Sequence, residues 1–164
     1  MNQENSNYSI YEGSFFTREP ILDQTINILM FRDEDDNEYN IFINRATMDD
    51  DQTAENYCEV EMDNMKNELP GFQVEGKLLK HELGPAKLPV VQIANRYLQD
   101  GKTVKQVQSI VSLPYHEISN NEMKRVIIFT LQANDEFTEY QRKHYVQIIN
   151  SFMPAVSPLN KKQK

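Results

Sequence analysis

The side chains best suited to chemistry are few and scattered. His81, His116 and His144 lack the i, i+4 spacing that sets two imidazoles on one metal, and the single cysteine, Cys58, has no second thiolate nearby. His144 falls on the apolar side of a terminal helical segment, where a hydrogen-bonded core or boundary histidine is the simpler reading. Cys58 falls on the apolar side of an earlier helical segment, where a thiol behaves as a small hydrophobe rather than a nucleophile. The run Asp33-Glu34-Asp35-Asp36-Asn37-Glu38 opens like a calcium loop. Glu38 stands where that loop needs glycine, however, and Asn44 where a bidentate glutamate closes the cage, so a solvated acidic loop fits better. None of the five glycines belongs to a phosphate-cradling loop or a G-x-S-x-G elbow. A hidden active site would have to be drawn from His81, Glu82 or His116, which form no mutually supporting set. The sequence is therefore read as non-enzymatic, with no catalytic residue, metal site or cofactor.

The elements that must position any binding surface can be traced from the residue pattern. Residues 8–16, 25–31 and 39–46 are rich in β-branched and aromatic side chains and are punctuated by Pro20 and the acidic run, which predicts three strands. After Asp49-Asp50-Asp51, a run suited to the positive end of a helix, the apolar period lengthens to about 3.6. Ala54, Cys58, Met62, Met65 and Leu69 share one helical face, and Pro70-Gly71 stops the helix. Four more strands are expected over 72–83, 88–98, 103–113 and 125–132, with Asp100-Gly101 as a two-residue hairpin between the second and third. A closing helix over 135–152 has Phe137, Tyr140, His144, Ile148 and Phe152 on one side and Asp135 or Thr138 available as its cap. The order βββ-α-ββββ-α, joined mostly by short turns, predicts an α+β domain with an antiparallel sheet and two helices. The domain is placed at 8–154, with a flexible 1–7 and a disordered 155–164 that has few apolar groups to bury.

Composition narrows the class of partner. The 164 residues suffice for one core without staples. A net charge of −8, from 17 basic and 25 acidic side chains, opposes binding to nucleic acid and to anionic membranes. One cysteine excludes an internal disulfide framework, the N-terminus is polar, and no run reaches the roughly 18 apolar residues of a spanning helix. A soluble protein of the reducing cytosol is expected.

Two features stand out. Ile26, Ile28 and Met30 alternate with the apolar Leu29 and Phe31, and Ile41 and Ile43 flank Phe42, so both faces of these strands are apolar. Either the fold covers both faces, or one is left for an apolar partner or a second subunit. Glu61 falls between Tyr57 and Met65 at the edge of the first helix's apolar face, where an unpaired carboxylate is costly to desolvate, so it must reach solvent or a polar partner.

Several stretches resemble the Eag chaperones of type VI secretion, a bacterial family related to DcrB. They are Tyr8-x-x-x-Glu12-Gly13, Asp23-Gln24-Thr25-Ile26-Asn27-Ile28, Tyr57, Glu68-Leu69-Pro70-Gly71-Phe72, Asp100-Gly101-Lys102 leading into Val107-Gln108, Tyr140-Gln141-Arg142 and Ser151-Phe152. In order they run from Tyr8 nearly to Pro154. The resemblance implies a curved antiparallel sheet of the PsbP/Mog1 type, assembled as a cytoplasmic homodimer. It also implies a function: shielding the N-terminal transmembrane helices of PAAR-containing effectors until they are loaded onto the secretion spike. On that analogy the apolar client-binding residues are Ile26, Ile28 and Met30, with Phe42 and its neighbours Ile41 and Ile43. The polar ones are Gln108, which matches a family position, and Glu61, where the family usually has glutamine. A carboxylate accepts hydrogen bonds but does not donate as an amide does. The absence of an N-terminal apolar run with a lipidation cysteine argues against the exported lipoprotein branch of the superfamily. The competing expectation is a non-catalytic module of the same fold that binds a soluble protein, as the Mog1 branch binds a small GTPase.

Overall fold

The computed structural model describes residues 5–156. Its elements are β1 (Ser6–Ile10), β2 (Gly13–Thr17), β3 (Asn27–Arg32), β4 (Glu38–Thr47), α1 (Ala54–Glu68), β5 (Gln73–Leu83), β6 (Leu88–Gln99), β7 (Lys102–Ser112), β8 (Arg125–Asn134) and α2 (Glu139–Ser151). This is the expected α+β class with an antiparallel sheet and two main helices, with one strand more than the sequence reading gives. Residues 8–16 form not one strand but the hairpin β1–β2, because Tyr11 and Glu12 make a two-residue turn between the paired Ile10 and Gly13. β1 takes in Ser6 and Asn7, which fall in the segment expected to be flexible; residues 1–4 and 157–164 of the expected flexible ends lie outside the described residues.

The main sheet has the order β3-β4-β8-β7-β6-β5, and every neighbouring pair is antiparallel. β4 and β5 lie on opposite sides of the β8-β7-β6 centre, so the connection between them must cross the sheet, and α1 makes that crossing against β6 and β7. Thr53 caps α1 by accepting from the Asn56 backbone N–H, and the Leu69 N–H closes the other end on the Met65 carbonyl. Pro70-Gly71 then ends the helix as expected: Gly71 takes a positive φ of 65°, and a Cβ there would meet the Leu98 side chain at 2.8 Å. The β6–β7 connection is the anticipated hairpin, with Asp100 and Gly101 both at positive φ.

Residues adjacent in the chain sort into two cores, which places one on each face of the sheet. Val90, Val111, Ile127 and Phe129 pack with Tyr39, Ile41, Tyr145 and Ile149 beneath α2, whereas Val91, Ile110 and Val126 pack with Cys58 and Met62 beneath α1. α2 is capped by Thr138 in a reciprocal box with Gln141. The sequence reading places the buried side of this helix on Phe137, Tyr140, His144, Ile148 and Phe152. The structure turns it slightly: Gln141, Tyr145 and Ile149 are its buried residues, and Tyr140 is exposed. Polar atoms cause that rotation, because Gln141 Nε2 donates to the Asp33 carboxylate at 3.2 Å and the Tyr145 hydroxyl reaches the sheet. Among the described residues no helix is long and apolar enough to cross a membrane.

Candidate functional site

The two helices do not cover the sheet equally. The α2 core extends from β4 across to Leu83 of β5, whereas the buried sheet residues of the α1 core come from β6, β7 and β8 alone, with Leu78 of β5 and Ala46 near the end of β4 packed at its margin. The β3–β4 end of the α1 face is therefore left without a helix over it. Cross-strand register fixes what stands there: Ile28 lies opposite Phe42, Phe42 opposite Thr130, Thr130 opposite Gln108, and Gln108 opposite Ile93. Residues paired in this way share a face, so the row runs from the open edge strand to the α1 core. Ile28 and Met30 are each 62 % exposed, while Phe42 is half-buried. Ile26 is exposed as well and lies one residue ahead of β3.

Ile41 and Ile43 do not belong to this surface. Ile41 is fully buried beneath α2 and Ile43 packs against the same core, because alternation along β4 turns them away from Phe42. Of the six apolar residues put forward from the sequence, Ile28, Met30 and Phe42 share the open face, Ile26 is exposed beside them, and these two are core.

Glu61 and Gln108, distant in sequence, do meet. They line one cleft of about 240 Å³ with Asn44, Arg45 and Tyr57, at the junction of α1 and the open face. Burial, and secondarily the charge of Glu68, raises the Glu61 carboxyl above the usual carboxylate range. Burial, with a smaller contribution from Glu61, pushes the Tyr57 phenol up to about 12. Arg45 shares the cleft, but its Nη1 donates to the carbonyls of Thr25 and Ile43 and to Asn27 Oδ1. The cleft thus combines a carboxylate that is poorly solvated with an amide and a phenol.

One feature of this face escapes sequence reasoning. The next row along the sheet is Met30–Asn40–Gln132–Gln106–Asn95, so four amide side chains follow one another across β4, β8, β7 and β6. Gln132 Nε2 donates to the Tyr97 hydroxyl at 2.8 Å, and Asn95 Nδ2 donates to Gln108 Oε1 at 3.4 Å and lies 3.7 Å from Met62 Sδ. Asn40 Oδ1, Gln106 Oε1 and Asn95 Oδ1 are buried and have no hydrogen-bond partner. Polar residues at alternate positions of otherwise apolar strands were the available signal, since such a pattern marks either a solvated face or a polar buried one.

The groups singled out for chemistry remain apart. His116 Nδ1 accepts from the backbone N–H groups of Ile118 and Ser119 within a turn, and His144 Nδ1 bonds the Tyr39 hydroxyl at 2.8 Å with its ring edge-on to Phe31. His81 and Glu82 are exposed on β5. Cys58 is buried beneath α1, where burial first, and then Glu59 and Glu61, pushes its thiol up to about 11. Such a thiol is a poor nucleophile. In the acidic run Asp33 turns inward, accepting from the Asp35 and Asn37 N–H groups, and these bonds hold its carboxyl below the usual range. No group of three or more metal-ligating side chains occurs among the described residues.

Similarity to known proteins extends over most of the chain. A family model described as DcrB matches residues 12–151. Among solved structures, PA94 from Pseudomonas aeruginosa, a protein of unknown function and candidate regulator, superposes with a TM-score of 0.66 at 17 % identity, covering 94 % of this chain and 99 % of that one. LpqN, involved in cell envelope biogenesis of Mycobacterium tuberculosis, gives 0.45 at 19 % identity over 80 % of this chain and 78 % of its own. No curated protein matches the sequence.

Proposed function

The chain belongs to the DcrB family, and on that premise we propose that it is a cytoplasmic chaperone that holds apolar helices without turnover, its clients being the N-terminal transmembrane helices of PAAR-containing type VI secretion effectors. The observation that carries this reading is the open end of the α1 face, where Ile28 and Met30 are 62 % exposed beside Phe42 and the exposed Ile26. Exposed apolar side chains that are contiguous, rather than scattered, mark a surface meant to be covered. A membrane helix kept out of a bilayer needs such cover over about 20 residues. The choice of secretion effectors as clients rests on the motifs shared with the Eag chaperones, from Tyr8-x-x-x-Glu12-Gly13 to Ser151-Phe152. Glu61 and Gln108, at the boundary of that surface, are positioned to meet polar groups of the client once these leave water.

The active form in this proposal is a homodimer. The β1–β2 hairpin pairs with no strand of the main sheet, its Phe15 and Phe16 are exposed, and the Tyr8 hydroxyl donating to Asp23 ties it to the following linker. β3, at the edge of the sheet, has a free backbone side, while its Ile28 and Met30 are left to the client. A second copy supplies cover for both.

The test is co-expression with the membrane segments of an effector encoded beside the gene, comparing wild type with Ile28→Asp. Co-purification with wild type and loss with a folded Ile28→Asp is the expected result. If wild type retains no such segment, and charge reversals at Glu34 to Asp36 rather than Ile28→Asp disrupt a different, polar partner, the protein is a module for a soluble partner.

A further inference from the structure

Two arginines meet at one end of the sheet. Arg45 lies directly opposite Ile127 across the β4–β8 pair and Arg125 directly opposite Thr47, so the two are diagonal neighbours on one face of these strands. Positions related in this way are roughly 7–8 Å apart, within reach of a single ligand for side chains as long as arginine. Both line one open cleft of about 600 Å³, beyond the point where β3 stops opposite Ile43. Neither guanidinium forms an ion pair with a described residue, in a chain that has 25 acidic side chains to 17 basic ones. Nearby acids are engaged otherwise. Lys124, next to Arg125 in the chain, takes Asp50 and Glu122, and Asp23, the one carboxylate among the residues lining the cleft, accepts from the Tyr8 hydroxyl at 2.7 Å. Two like charges held together without a counter-ion repel each other, and an anion between them relieves that repulsion.

The wall of the cleft is fixed from both sides. Gln24 Nε2 donates to the Arg45 carbonyl at 3.4 Å and Arg45 Nη1 donates back to the Thr25 carbonyl at 3.2 Å, which stitches the linker before β3 to the edge of β4. The acceptors of Nη1 are the Thr25 and Ile43 carbonyls and Asn27 Oδ1, all neutral, and they hold the half-buried guanidinium in place while its Nε and Nη2 have no partner among the described residues. A guanidinium fixed through one nitrogen, with its other donors free, is preorganised to donate to an oxyanion. We infer that this cleft binds an oxyanion, a carboxylate or phosphate group, held between Arg45 and Arg125 with the hydroxyls of Thr25 and Thr47 as further donors. The site adjoins the cleft of Glu61 and Gln108, with which it shares Gln24, Arg45 and Tyr57. An acidic side chain flanking a helix on the open face is thus one source of the oxyanion, and a free anion is the other.

Inorganic phosphate, titrated into the whole protein at constant ionic strength and followed by proton–nitrogen NMR that includes the arginine Nε–H signals, tests the site without any client. Wild type is expected to give saturable shifts confined to the cleft. Arg125→Gln alters an exposed side chain that has no partner, so it keeps the fold and is expected to need roughly tenfold more phosphate. Arg142→Gln, which removes an exposed charge on α2, is expected to respond as wild type does. Shifts that do not saturate, or that are equal in wild type and Arg125→Gln, mean an adventitious ion only and overturn the site while leaving the chaperone reading intact. The source of the oxyanion is read from two synthetic leucine–alanine helices of about 20 apolar residues, one flanked at both ends by glutamate and the other by glutamine, with binding followed by fluorescence anisotropy in mild detergent. This arm rests on the apolar-helix reading above. A preference for the glutamate helix that falls roughly tenfold in Arg125→Gln assigns the oxyanion to the client, and a preference that the substitution does not change assigns it to a free anion. Binding of neither helix counts against the chaperone reading and leaves the phosphate result standing.

Discussion

Ile28 and Phe42 stand directly opposite each other across the β3–β4 pair, on the face of the sheet turned away from α2, while Ile41, next to Phe42 in the chain, is fully buried beneath that helix. Two isoleucines of equal hydrophobicity therefore have unlike consequences. Ile41→Ala removes packed methyl groups and should cost about 2–5 kcal/mol of stability. Ile28→Asp alters a residue that is already wet and should stay within about 0.5 kcal/mol of wild type. Urea unfolding curves of the two variants check this. Comparable losses in both would mean that Ile28 has cover in solution that the single chain does not provide.

α2 is fastened to the sheet by a relay of two hydroxyls. The Tyr145 hydroxyl donates to the Phe129 carbonyl at 3.0 Å, and because its one proton is thereby used, Ser109 Oγ donates to it at 2.6 Å. Both side chains are buried. Tyr145→Phe leaves the Phe129 carbonyl without this donor and Ser109 without its acceptor, an expected loss of about 1–3 kcal/mol. Adding Ser109→Ala to Tyr145→Phe should cost less than Ser109→Ala alone, since one orphaned hydroxyl disappears. A double-mutant cycle by thermal or urea unfolding measures the coupling, and strict additivity would contradict it.

Where the sequence was informative, local signals carried the information. Asp100-Gly101 marks its hairpin because few residue pairs tolerate two successive positive φ angles, and Pro70-Gly71 ends α1 for a similar reason. β4 was opaque because residues 41, 42 and 43 are all apolar, so alternation marks neither face; Ile41 is core only because β3, β8 and α2 assemble around it. The rotation of α2 depends on Ser109 and Asp33, groups 36 and 108 residues from their partners Tyr145 and Gln141. The amide row is illegible for the same reason, since Asn40, Asn95, Gln106 and Gln132 become neighbours only when four strands come into register.

The hairpin gives a prediction about assembly. Phe16 is 77 % exposed, and the hairpin contributes no strand to the main sheet. Phe16→Glu should therefore leave the fold of each chain intact while weakening the proposed dimer, since burying a charge without a partner at an apolar contact is unfavourable. Light scattering at micromolar concentration is expected to give twice the chain mass for wild type and a mass falling toward one chain for the variant. A wild type that is monomeric under those conditions would overturn the assembly.

Glu61 makes stability depend on pH in a direction fixed by its environment. Burial first, and Glu68 second, holds its folded-state pKa above the unfolded value. The protonated carboxyl is therefore the form the fold prefers, and between the unfolded pKa, about 4.3, and the raised folded value the native chain binds more protons than the unfolded one. This contribution is present below that window, declines as pH rises through it and stays low above it. Glu61→Gln keeps the shape and removes the charge, so it should be the more stable protein at pH 7, by under about 1 kcal/mol because the side chain still meets solvent. The advantage should shrink as the pH falls through that window and be gone below it. The substitution also gives the cleft an amide that can donate as well as accept, so the same variant should hold a helical client at least as well as wild type. Chemical denaturation of both proteins across this pH range reads the first effect, and an advantage that does not change with pH would mean that Glu61 acts through packing rather than charge.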